Sequence, residues 1–129
     1  MNDGFGGVST AVTHVTVLNV APVFIDQSFG PPSVIVTPDT PADGFGNSVA
    51  AVDDNIAVGS AASTVGALAG AGLVRLHDAT GLLLRAFQSP APVANGAFGT
   101  SVAAVGNNLL IGEPGANGTG LAYLFDANP

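Results

Sequence analysis

Short apolar runs, rich in small and β-branched residues, alternate along this chain with clusters of Gly, Asp, Asn, Ser and Pro. Over 8–20 the β-branched residues dominate, and Val15-Thr16-Val17 alternates with period two, which predicts a strand. Pro22, Pro31, Pro32, Pro38 and Pro41 crowd the next stretch. Proline cannot donate to a ladder and biases its predecessor towards extended backbone. Residues 23–43 therefore read as a connector, with short strands at Ser33–Thr37 and Val23–Ile25. From Gly44 the pattern predicts four strands, at Ser48–Val52, Ile56–Gly59, Gly72–His77 and Leu82–Phe87. Asp53-Asp54-Asn55 and Asp78-Ala79-Thr80-Gly81 are their turns, and an Ala/Gly-rich loop spans 60–70. Three more strands follow, at Ser101–Val105, Leu109–Gly112 and Leu121–Phe125.

The last two groups of strands are copies of one another. Gly44-Phe45-Gly46-Asn47-Ser48-Val49-Ala50-Ala51-Val52 returns 53 residues later as Ala97-Phe98-Gly99-Thr100-Ser101-Val102-Ala103-Ala104-Val105. Asn55-Ile56-Ala57-Val58-Gly59 then lies over Asn108-Leu109-Leu110-Ile111-Gly112. After a five-residue gap, Gly72–Asp78 lies over Gly120–Asp126. A repeat of this length marks a unit that cannot bury its own apolar face and must stack on a neighbour. The strands read apolar on both faces, as sheets covered above and below would. The small-sided first strand of each unit suits a crowded position. The chain thus divides into a leader strand (1–22), the connector (23–43), a first unit (44–95) and a shorter second unit (96–129). Both ends read as cut, as in a segment of a longer protein.

A rival reading exists for 55–74, which is uncharged and contains Gly66-Ala67-Leu68-Ala69-Gly70, a pattern that packs membrane helices closely. The second copy puts Glu113, Pro114 and Asn117 in the same stretch, and Ala, Gly and Ser insert weakly. Strands are the better expectation.

Composition sharpens the picture. The apolar fraction is 47% and the charged fraction 9%, against roughly a quarter charged in an ordinary domain. A net charge of −7 rests on nine acids against Arg75 and Arg85. Two cations cannot neutralise a phosphate backbone or hold an anionic bilayer, so nucleic acid and polybasic membrane attachment are excluded as partners. There is no cysteine, hence no disulfide and no zinc-thiolate site. Met1-Asn2-Asp3-Gly4 opens no secretion signal.

Phe-Gly, then Ser-Val-Ala, then an apolar strand ending in Gly resembles the FG-GAP repeat of β-propeller blades, as in integrin α-subunits and bacterial surface proteins. The residues that carry it are Phe45, Gly46, Ser48 and Gly59 in one copy and Phe98, Gly99, Ser101 and Gly112 in the other. Gly112-Glu113-Pro114-Gly115 approximates the second half of the motif. The leader, ending Val-Leu-Asn-Val-Ala-Pro, resembles the last strand of PKD- or cadherin-like modules. An alternative for the leader is a degenerate earlier repeat, since Asp3-Gly4-Phe5-Gly6 copies Asp43-Gly44-Phe45-Gly46. The resemblance implies an all-β fold of two tandem antiparallel blade-like sheets, the second incomplete, preceded by the extended strand and connector. Two blades cannot close a ring that takes about 4 to 8. It also implies calcium, but this chain departs there. Asp53-Asp54-Asn55 and Gly106-Asn107-Asn108 are too short to wrap an ion that takes 6–8 oxygens, so no cofactor is expected.

Candidate catalytic groups are sparse. His14 and His77 are the only histidines, and His77 aligns with Phe125, an aromatic strand position. The acids Asp43, Asp53, Asp54, Asp78 and Asp126 sit in turns, and Glu113 precedes a proline; turn formation accounts for them without a glycosidase-like pair. No nucleophile elbow or metalloprotease motif occurs. Phe45 and Phe98 read as aromatic knobs between sheets, the following glycine admitting close backbone. The expectation is a non-enzymatic extracellular or cell-surface module for adhesion, ligand binding or scaffolding, with a protein or glycan ligand. The alternatives are a self-assembling subunit of a ring or filament and a fragment of a propeller enzyme such as a glycosidase.

Overall fold

A computed structural model describes residues 36–37 and 43–128. The leader strand and almost all of the connector lie outside the described residues; Val36 and Thr37 belong to neither strand nor helix. The described chain is all-β. Four strands, β1 (Phe45–Val52), β2 (Asn55–Ser60), β3 (Leu73–Asp78) and β4 (Leu83–Phe87), form one antiparallel meander in the order β1-β2-β3-β4. Three more, β5 (Ser101–Val105), β6 (Asn108–Glu113) and β7 (Leu121–Asp126), form a second in the order β5-β6-β7. Residues 55–74 are thus β2, a loop and the start of β3. No described helix is long and apolar enough to cross a membrane.

The first strand starts earlier than the sequence predicts. Phe45 pairs with Ser60, then the register slips so that Ser48 faces Gly59. This bulge carries the Phe-Gly pair into the ladder, where apolar periodicity alone reads it as loop. The tight turns after β1 and β5 place a positive φ at their first residue, 52° at Asp53 and 60° at Gly106. That conformation matches the twist of antiparallel hairpins.

The two sheets repeat each other in backbone detail. Positive φ recurs at Gly44 and Ala97, Gly46 and Gly99 (87° and 89°), and Gly72 and Gly120 (83° and 82°). Ala62 N donates to Asp43 O at 2.9 Å, and Gly115 N to Gly96 O at 2.9 Å. Asn47 N donates to Gly44 O at 3.0 Å, and Thr100 N to Ala97 O at 3.2 Å. All of these pairs are 53 or 48 residues apart, the offsets of the sequence repeat.

A single apolar layer lies between the sheets, formed by Val52, Ala57, Val74, Leu76 and Phe87 with Phe98, Leu109 and Ile111. Cover above and below, as the sequence predicts, holds for β2 and β3 of the first sheet, where Val58, Ser60, Arg75 and His77 on the far face are buried as well. The second sheet is covered on one face only by the described residues. Equivalent residues show it: Val52 is 1% exposed and Val105 48%, Ala57 0% and Leu110 41%, Leu76 0% and Leu124 58%. The first member of each pair meets the second sheet; the second faces outward. β1 packs against β5, yet both stay mostly open apart from Val52, so their small side chains are not crowded on all sides.

Candidate functional site

The motif residues Ser48, Gly59, Phe98 and Gly99 converge where the sheets meet. Segment 95–98 runs along 69–71: Asn95 N, Ala97 N and Phe98 N donate to the carbonyls of Ala69, Gly70 and Ala71 at 2.8–2.9 Å. Gly99 then passes over the start of β3, where an added Cβ would stand 2.9 Å from both Leu73 O and Val74 Cγ2. A Cβ on Gly72 would collide with the Phe98 backbone, and one on Gly59 with Gly99 O. Glycine at these two places is the condition for main chain to touch main chain. Ser48 Oγ closes the joint by donating to Gly99 O at 2.7 Å.

Phe98 is completely buried, edge-on to Phe125 (5.9 Å, 86°) and beside Tyr123 (6.0 Å). Phe45 holds the same station on its own sheet. It is edge-on to His77 (6.3 Å, 87°), and the Arg75 guanidinium lies 5.6 Å from its ring centre. Arg75 and His77 are the repeat counterparts of Tyr123 and Phe125, so each knob meets the same two positions of its third strand. The difference is cover: Phe45 is half-buried and Gly46 has nothing within 4 Å of an added Cβ.

Beneath Phe45 lies a buried polar cluster that the sequence does not announce. Asp43 Oδ1 accepts from Phe45 N (2.9 Å), and Oδ2 accepts from Ser63 Oγ (3.0 Å) and Arg75 Nη1 (3.4 Å). Arg75 Nη1 also donates to Ser60 Oγ at 2.8 Å. In the second sheet the carboxylate comes from the end of β6 and not from the segment before the first strand. Ser60 is replaced by Glu113, and Asp43 by Gly96, whose added Cβ would lie 2.5 Å from Glu113 Oε1. Glu113 is fully buried; its Oε2 accepts from Ser89 Oγ at 2.7 Å, and Oε1 has no hydrogen-bond partner. Two paired positions have exchanged sizes, and each sheet keeps one interior acid there. A signal existed in the internal repeat, where Asp43/Gly96 and Ser60/Glu113 are two mismatches that exchange a large and a small residue.

His77 is buried, with Nδ1 3.2 Å from Gly81 O. A carbonyl only accepts, so Nδ1 carries the proton. Its Nε2 has no partner. Asp78 sits in an exposed turn, its Oδ1 accepting from Thr80 Oγ1 (2.6 Å), Thr80 N (2.8 Å) and Leu82 N (3.0 Å). The Thr80 hydroxyl lowers its carboxyl most; desolvation opposes it, and the amides of Leu82, Thr80 and Gly81 add enough to hold the carboxyl below the usual range. Asp126, the last residue of β7, likewise accepts locally, from Asn128 N and Nδ2. Among the described residues, no three His, Cys, Asp or Glu side chains gather as a metal site would need.

The remaining motif residues, Ser101 and Gly112, line a groove of about 430 Å³ on the outer face of the second sheet. Gly120, Leu121 and Ala122 complete its β7 side, with Thr100, Glu113 and Pro114 around them. No family model matches the chain, and no curated protein matches it.

Proposed function

We propose that this chain is a non-enzymatic extracellular or cell-surface module of FG-GAP-type β-propeller blades, serving adhesion, ligand binding or scaffolding. The observation that carries the reading is the joint between the sheets. The Phe-Gly pair of the second repeat fills a niche made by the Ser, Gly and Gly-Leu-Val positions of the first. A blade stack needs that contact, and the motif residues account for it without any catalytic duty.

The disposition of the acids supports the same reading. Of the described acids, Asp43 is engaged by Arg75, Ser63 and a backbone amide, Glu113 by Ser89, and Asp78 and Asp126 by groups of their own segments, while Asp53 and Asp54 lie exposed in the β1–β2 turn. A glycosidase would instead present two carboxyls to one cleft, about 5–10 Å apart. Adhesion is tested with beads coated with the chain, applied to arrays of glycans and of extracellular matrix proteins. Retention on a defined subset of spots, competed by free chain, is the expected result. Hydrolysis of aryl glycosides that disappears in Glu113→Gln would overturn the non-enzymatic assignment.

A further inference from the structure

We propose that the groove on the second sheet receives the Phe45-Gly46 bulge of another copy of this chain, so that copies join head to tail. Five of its lining residues, Ser101, Gly112, Gly120, Leu121 and Ala122, are the repeat counterparts of Ser48, Gly59, Gly72, Leu73 and Val74. On the first sheet those five are the residues that receive Phe98-Gly99: Ser48 donates to Gly99 O, while Gly59, Gly72, Leu73 and Val74 crowd its backbone. The molecule therefore contains both a filled and an open version of one niche, and the filled version identifies the occupant.

The complementary surface is also present. Phe45-Gly46 has the backbone of Phe98-Gly99, with matching φ at the glycine and matching ring contacts behind it, but it stands partly open. Around the groove the outward residues Val105, Leu110 and Leu124 are those whose counterparts Val52, Ala57 and Leu76 are sealed. On the opposite face Val49 is exposed, where its counterpart Val102 packs on the core. On that face Val58, Arg75 and His77 are already buried, so the part left open to a second copy is Val49 with Phe45-Gly46, whereas the second sheet's outer face is open around the groove. A joint between unlike surfaces closes into a ring or runs on as a filament. With the two described sheets per copy, a ring of about 4 to 8 blades takes about two to four copies.

The inference rests on the blade-like stacking and not on adhesion, so its test is separate from the bead assay. Sedimentation velocity of the full chain is the measurement. Wild type should sediment faster as concentration rises. Phe45→Ala, which removes the knob, and Ala122→Trp, which fills the groove at an exposed position, should each raise the half-assembly concentration by at least about tenfold. Far-UV circular dichroism checks that each variant remains folded, and Leu124→Glu on the same face replaces Ala122→Trp if it does not. Mixing the two variants is decisive, because Phe45→Ala keeps its groove and Ala122→Trp keeps its Phe45-Gly46 bulge; an equimolar mixture should yield a one-to-one dimer that does not grow. A wild-type monomer at about 1 mM, assembly indifferent to both substitutions, or a mixture that stays monomeric would each overturn the proposal.

Discussion

Phe98 stands edge-on to Phe125, with ring centres 5.9 Å apart and planes at 86°. In the first repeat Phe45 stands the same way to His77, although the partner there is a polar ring. The geometry is a property of the repeat and the burial a property of the neighbour: among the described residues, only Phe98 has a second sheet across it. Edge-to-face aromatic pairs contribute about 0.5–1.5 kcal/mol beyond buried area, so most of the value of Phe98 lies in its complete enclosure.

Phe98→Ala should accordingly cost about 3–5 kcal/mol in urea unfolding, and Phe45→Ala less than half of that under conditions where the chain is monomeric. Equal losses at the two positions would show that the half-buried ring is held as firmly as the sealed one.

Gly59 and Gly112 are the same residue of the repeat in different surroundings. An added Cβ at Gly59 meets the Gly99 backbone as well as Ser48 Oγ, whereas at Gly112 the close contact is the hydroxyl of Ser101, which can rotate. Gly59→Ala should cost about 1–3 kcal/mol through forced separation of the sheets. Gly112→Ala should cost clearly less, and the comparison is made on melting temperatures of dilute samples.

Arg75 and Asp43 form an interior ion pair among hydroxyls. Breaking such a pair from one side leaves a buried charge and costs about 3–5 kcal/mol. Asp43→Asn and Arg75→Met should each be strongly destabilising, and the double variant should recover part of the loss. A double-mutant cycle on chemical denaturation measures that coupling; strictly additive losses would mean that the two groups do not depend on each other.

The turn at Asp78 predicts a pH signature. Its carboxyl is held below the ordinary value chiefly by the Thr80 hydroxyl. The charged form is the one favoured by folding, so its stabilisation is complete above the ordinary carboxylate value and is lost as pH falls through the lowered folded value. Asp78→Ala should lower the melting temperature at neutral pH, and the gap to wild type should shrink in strong acid. A gap that stays constant across that range would assign the effect to turn shape alone.

The seven strands were legible in the sequence because duplication gives each weak pattern a second witness: Ser48–Val52 and Ser101–Val105 say together what neither says alone. What stayed hidden depends on contacts across sheets. Leu76 and Leu124 are the same letter at the same repeat position, and only the presence of a neighbour makes one sealed and the other open. The acid of each interior cluster was hidden too, since Asp43 reaches its place from the segment before β1 and Glu113 from the end of β6. The bulge at Phe45 kept the start of β1 out of the apolar rhythm. Polarity did point correctly at the turns, where Asp78 and Asp126 use their side chains locally.

Ser48 fastens its sheet to the next one through a carbonyl oxygen of Gly99, a group that every residue possesses. A joint of this kind places few demands on the newcomer's side chains: it asks for one aromatic ring and one missing Cβ. Copying a whole cassette therefore lengthens the array without inventing a fresh fit, and the outward residues of each copy remain open to diverge. Such a lineage can change its number of layers faster than the chemistry of any single layer.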